Sequence, residues 1–128
     1  MNTAHLIQQI EQLLREQDSI YHNTAVRFGL SDTAMRALYL VSETDEVLTQ
    51  QDLCHQNFSA KQTIHTAING LVKNGFVELI PIPGTRNHKK ILLTASGQAL
   101  ADRTVNRLKE AEQRAYSRMS EEDLQTYL

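Results

Sequence analysis

The stretch SAKQTIHTAINGLVKNG, Ser59 to Gly75, followed after Phe76 and Val77 by ELIPIPGTRNHKKILL, Glu78 to Leu93, decides how this chain is read. Ile64, Ile68, Leu71 and Val72 stand at i, i+4, i+7 and i+8, which is one apolar stripe of a helix. The opposite face offers Gln62, His65, Thr66, Asn69 and Lys73, and no carboxylate. A surface helix ordinarily mixes Glu with Lys, because opposite charges one turn apart stabilise it. A helix that must approach an anion cannot carry the Glu. The next segment is two short apolar runs around a turn that gathers Arg86, His88, Lys89 and Lys90.

The net charge of −2 over 128 residues argues against a polyanion partner when taken alone. Its distribution argues the other way. Residues 1–54 balance at −5, residues 55–94 at +4, and residues 95–128 at −1. Phosphates respond to charge within a Debye length of about 8–10 Å, so the local excess is what counts. The length suits one domain, and the 41% hydrophobic and 22% charged content is that of a globular protein. A single cysteine, Cys54, allows no internal disulfide and suggests a reducing, cytoplasmic setting. The Gln- and Glu-rich start is unlike a secretory signal, and no apolar run has the length of a membrane span.

Working outward, the periodicity predicts a first helix over residues 3–28, with a stripe of Leu6, Ile7, Ile10, Leu13, Leu14, Ile20, Tyr21, Thr24 and Phe28, ended by Gly29. About 26 residues span about 39 Å, more than one small core covers. Ser31 caps a second helix over 32–42, with Met35, Leu38 and Val41 inward. An acidic turn follows over 42–47. Thr49 and Asp52 form a capping box for a short third helix through His55, and 56–58 is a turn. Ser59 caps the fourth helix and Gly75 terminates it. Residues 76–80 and 88–93 are the strands of a hairpin turned over 81–87, with Pro81 and Pro83 fitting an edge. Thr94 caps one long helix over 95–119, with Leu100, Val105, Leu108, Ala111 and Ala115 as its stripe, and Ser120 restarts a short sixth. The fold class is mainly α: a helix-turn-helix made winged by the hairpin, between long N- and C-terminal helices.

The chain resembles the MarR/SlyA family of winged helix-turn-helix transcriptional regulators along its whole length. Three pieces carry the resemblance: Gly29-Leu30-Ser31 leading into Met35 and Leu38, Leu71-Val72-Lys73-Asn74-Gly75-Phe76-Val77, and Arg86 followed by Leu93-Thr94-x-x-Gly97. The family's wing commonly reads Asp-x-Arg-Asp. Here it is Gly84-Thr85-Arg86-Asn87, so both acids beside the arginine are absent. The family often has Arg where Thr66 stands, and its final helix is longer. The resemblance implies a single domain over 1–128, with dimerisation helices at 1–29 and 95–128 around a DNA-binding module at 30–94. It also implies a homodimeric repressor of operator DNA, relieved by a small aromatic or phenolic effector.

Gln62 and Asn69 have the chemistry to pair with adenine in the major groove, His65 to donate to guanine, and Thr66 to serve a base or a phosphate. Ser59 and Lys61, beside the free N–H groups of the helix start, suit phosphate. Arg86 suits a narrow minor groove, and Lys89 and Lys90 suit phosphates. The competing readings are a solvated polar face and a basic turn that deters strand pairing. The long first helix favours a twofold dimer, against intramolecular packing along the fifth helix. Tyr21, His22, Arg36 and Tyr39, with Phe28 nearby, lie at the junction where the family binds effectors, and an Arg among aromatics suits a carboxylate. The competing reading is core aromatics and a surface Arg. Cys54, beside Leu53 in a short packed helix, reads as an inert thiol rather than a redox sensor. The histidines and Cys54 lack metal-ligand spacing, no nucleophile–base pair or glycine-rich phosphate loop is present, and so neither metal, cofactor nor enzyme is expected. A winged helix used as a protein-interaction or scaffold module is the alternative function.

Overall fold

A computed structural model describes residues 2–43, 46, 48–57 and 60–127, with only the backbone of Asn57 and Tyr127. The order is α1 (Thr3–Arg27), α2 (Asp32–Glu43), α3 (Gln50–Asn57), α4 (Lys61–Lys73), β1 (Val77–Pro81), β2 (Lys89–Leu93), α5 (Ala95–Arg103), α6 (Val105–Tyr116) and α7 (Glu121–Tyr127). It is the mainly helical, winged arrangement expected.

The local signals work through hydrogen bonds that can be named. Ser31 Oγ accepts from the Ala34 amide at 3.0 Å and caps α2. Thr49 and Asp52 close a reciprocal box: the Thr49 amide donates to Asp52 Oδ2 at 2.8 Å, and the Asp52 amide to Thr49 Oγ1 at 3.2 Å. Gly75 ends α4 in the left-handed region at φ 77°. Its amide reaches Val72 O at 3.0 Å and that of Phe76 reaches Leu71 O at 2.9 Å, a Schellman closure. Ser120 caps α7 through the Asp123 amide at 3.1 Å.

Four expectations are corrected. Helix α4 starts at Lys61 with Ala60 in the N-cap position and no side-chain cap; Ser59, expected there, lies outside the described residues, as do Phe58 and residues 44, 45 and 47 of the acidic turn. Helix α3 continues to Asn57 rather than stopping at His55. In α4, Val72 is 38% exposed and Ala67 completes the stripe with Ile64, Ile68 and Leu71. Both residues sit on shoulders of the stripe, and only the smaller shoulder faces the core. Finally, the long helix over 95–119 is broken at Thr104, whose φ of −121° and ψ of −92° leave the helical region. Thr104 is buried, and its hydroxyl donates to Leu100 O at 2.8 Å. A threonine that bonds back to the preceding turn bends a helix. The bend brings α6 over α2.

Two apolar clusters share α2. One joins Ala34 and Ala37 to Leu53 of α3, Ile64, Ile68 and Leu71 of α4, and Val77 and Ile91 of the hairpin. The other joins Met35 and Leu38 to Ala25 of α1, Leu100 and Ala101 of α5, and Val105 of α6. The wing is tied to the helices at its base: β1 and β2 pair antiparallel from Val77–Leu93 to Pro81–Lys89, Thr49 bridges Lys90, and the Ile91 amide donates to Leu48 O at 2.8 Å. Residues 3–20 of α1 are exposed throughout, and Ala25 alone of that helix is buried.

Candidate nucleic-acid interface

Helix α4 stands against α2 and α3 on its apolar stripe, and its polar residues divide between two flanks. Lys61, His65 and Asn69, at i, i+4 and i+8, line an open cleft of about 1250 Å³ whose other walls are the wing, through Arg86, Asn87, His88 and Lys89, and the start of α3. Gln62 and Thr66 line a second groove of about 430 Å³, against Ser31 and Thr33 at the start of α2. A helix face read from sequence is continuous. The fold splits it, because the wing covers one shoulder only.

The cleft gathers cations. Among the described residues, no carboxylate pairs with Lys61, Arg86 or Lys89. Asp52 lines the cleft as well, but its carboxylate already accepts the Thr49 amide. Arg86 sits in a tight wing tip held by the Ile82 amide on His88 O at 2.9 Å and the Thr85 hydroxyl on Ile82 O at 2.7 Å. Asn87 takes a left-handed φ of 66°, a conformation its short polar side chain tolerates. Lys89 and Lys90 are neighbours on one strand and so project to opposite faces. Lys89 is exposed in the cleft, while Lys90 is half-buried opposite Ile80 and Thr49. His65 Nε2 and Asn69 Nδ2 lie 3.0 Å apart, a bond between two candidate base readers.

A separate cavity of about 550 Å³ lies where α1, α2 and α6 meet, and it brings together Tyr21, His22, Arg36 and Tyr39. Phe28 packs elsewhere, beneath the guanidinium groups of Arg27 and Arg103. Three acids the sequence did not suggest, Asp18, Asp32 and Glu112, share this cavity. His22 Nδ1 is 2.9 Å from Asp32 Oδ1, and Tyr39 Oη donates to Glu112 Oε2 at 2.8 Å. Lys109 Nζ donates to Tyr39 O at 3.0 Å and Ser42 Oγ at 2.8 Å, and lies 4.6 Å from the Tyr39 ring centroid. Burial raises the Glu112 carboxyl above its ordinary range and lowers the Lys109 ammonium below its own. Burial first, then the charge of Glu43, raises Tyr39. No sequence spacing announces this set, because Tyr39 and Glu112 are 73 residues apart.

The sign of the Glu112 shift gives a test. A carboxyl whose folded pKa is raised contributes stability that is complete below the ordinary glutamate value and lost as pH rises through the folded value. The fold therefore accommodates the charged carboxylate less well than the unfolded chain does. Glu112→Gln keeps an acceptor for Tyr39 and removes the charge. It should leave stability at pH 7 unchanged or raise it by up to about 0.5 kcal/mol, the partial exposure screening the effect. It should also flatten the pH dependence between pH 5 and 7. Urea denaturation at both pH values reads this, and a clear loss of stability at pH 7 would contradict it.

The fold and the wing-walled cleft define a winged helix-turn-helix protein. Residues 28–86 match the family model described as the MarR family. Similar solved structures include S. aureus MepR in its DNA-binding conformation, at TM-score 0.76 and 20% identity over 99% of this chain and 91% of that one. A putative MarR family transcriptional regulator from Listeria monocytogenes complexed with 26mer DNA gives TM-score 0.75 and 20% identity over 94% and 80%. A MarR protein from Peptoclostridium difficile gives 0.72 and 15% over 99% and 82%. At these identities the likeness is one of fold. No curated protein matches the chain in sequence. Among the described residues, no helix is long and apolar enough to cross a membrane, and no group of His, Cys, Asp and Glu is arranged to hold a metal ion. Cys54 is half-buried.

Proposed function

We propose that the chain is a homodimeric repressor that binds operator DNA through α4 and the wing and is released by a small molecule. The observation that carries this reading is the cleft between α4 and the wing, which Lys61, Arg86 and Lys89 line together with His65 and Asn69, with no carboxylate among the described residues pairing those cations. Helix α4 enters the major groove, where Gln62, Thr66, His65 and Asn69 meet base edges and Lys61 and Lys89 meet phosphates. Arg86 reaches the adjacent minor groove. Lys90 is a lesser phosphate contact, being half-buried. Two copies joined through α1 and the C-terminal helices set their α4 helices about one turn of DNA apart, roughly 34–36 Å, and read a pseudo-palindrome. The DNA-associated neighbours, MepR in its DNA-binding conformation and the Listeria regulator with its 26mer, support the assignment.

The effector site is the cavity between α1, α2 and α6, because a ligand there presses on the joint between the dimer helices and the winged module. Asp18, Asp32 and Glu112 beside Arg36 favour a ligand that donates hydrogen bonds, such as a phenol, over a simple carboxylate.

Selection of bound sequences from a random duplex pool, followed by measurement of the Arg86→Ala variant, tests the DNA assignment. The variant should bind the selected duplex about tenfold more weakly and show a salt slope reduced by about one per half-site. An unchanged affinity and slope would remove the wing from the interface.

A further inference from the structure

We propose that His65 is a positioning residue that sets the amide of Asn69 to read an adenine, so that the two side chains act as one reader. This rests on the operator-binding reading above. It replaces the simpler expectation that His65 itself donates to guanine.

The geometry assigns the hydrogens. Asn69 Nδ2 lies 3.0 Å from His65 Nε2, one helical turn away on α4. An amide nitrogen only donates, so Nε2 accepts and the imidazole proton sits on Nδ1. A primary amide has two N–H bonds, one on the side of its own oxygen and one pointing away from it. Adenine is read through its N6 donor and N7 acceptor, which take the amide oxygen and the N–H beside it. The remaining N–H is the one free for His65. The bond to His65 and the bidentate contact are therefore compatible, and the first holds the amide in the sense the second needs. Among the described residues, nothing else bonds to the Asn69 side chain, which is exposed in the cleft. Without His65 no bond opposes the flipped amide, so its NH2 becomes available to a guanine as well as its oxygen to an adenine.

The test uses the full chain and the duplex selected above. Asn69→Ala locates the base pair concerned, as the position where preference relaxes. The affinity ratio between the A·T duplex and its G·C variant at that position is then measured for the intact chain and for two variants of His65. The intact chain should favour A·T roughly tenfold. His65→Gln, whose amide oxygen also accepts, should keep the preference. His65→Leu should lose most of it. A His65→Leu ratio equal to that of the intact chain, or a His65→Gln ratio no better than that of His65→Leu, overturns the coupling and leaves operator binding standing. A pool that yields no enriched sequence overturns both.

Discussion

Replacing Gly97 by alanine should lower stability by about 3–5 kcal/mol and the melting temperature by about 10–15 °C. A Cβ built at Gly97 falls 1.8 Å from Phe76 O and 2.8 Å from Phe76 C. Both distances are far inside van der Waals contact, and the obstacle is backbone rather than a side chain that could swing away. Phe76 cannot easily retreat. Its amide closes the end of α4 on Leu71 O at 2.9 Å, and its carbonyl accepts the Thr94 amide at 3.1 Å. The Thr94 hydroxyl in turn donates to Gly75 O at 2.5 Å and accepts from the Gly97 amide at 3.0 Å. This seam joins the end of α4 to the base of the wing and the start of α5. Opening it disturbs both walls of the candidate interface, so DNA affinity should fall with stability. Calorimetry of the variant gives the result directly, and a melting temperature within 2 °C of the parent would mean that the approach is not as close as drawn.

The second large effect concerns α1. Leu6, Ile7, Ile10, Leu13, Leu14 and Ile20 are 42–63% exposed on the isolated chain. Covering the exposed half of such a side chain is worth about 1 kcal/mol, so both protomers together gain on the order of 10 kcal/mol before the cost of association. The pair Ile10→Glu and Leu13→Glu replaces part of that gain with carboxylates that the twofold axis of the proposed dimer brings together. It should weaken the dimer by more than about a hundredfold and abolish high-affinity operator binding, because each half-site then binds alone. The two apolar clusters do not include these residues, so the far-ultraviolet helical signal of the folded monomer should largely persist. Sedimentation equilibrium distinguishes the outcomes. A double variant that remains dimeric at low micromolar concentration would place the interface elsewhere.

The parts of the fold that sequence reading reached are those whose cause is local. Ser31, the Thr49–Asp52 box, Thr94 and Ser120 act on amides three residues away, and Gly75 closes its own helix. Their spacing is the mechanism, so it can be read without a structure. The stripe of α4 was legible except at its shoulders, where Val72 and Ala67 exchange places according to what packs against them. The break at Thr104 was not legible, because a threonine in a helix bonds back to Leu100 only when burial makes that bond worth keeping. Gly97 belonged to a recognisable motif, but its reason is a contact with Phe76 across the seam.

The candidate interface shows the same division. The absence of carboxylates on α4 and the cluster of cations on the hairpin were visible as composition. Which side chains share a cleft depends on where the wing lies, and that placed Lys61, His65 and Asn69 apart from Gln62 and Thr66. The four residues suggested for an effector pocket do meet, yet the acids that set its character arrive from α1, from the start of α2 and from α6. Lys109 and Glu112 grip Tyr39 across some 70 residues of chain, a distance at which no periodicity speaks.

The central claim is that α4 and the wing hold DNA, and its most direct test is the salt dependence of binding to the selected duplex and to a scrambled one of equal length. With about six to eight phosphates neutralised by a dimer, log Kobs should fall against log salt with a slope of about −5 to −7. The selected duplex should bind at least about a thousandfold more tightly than the scrambled one at physiological salt. Binding that is absent, or independent of salt on both duplexes, would contradict the account and leave the winged helix as a surface for another protein.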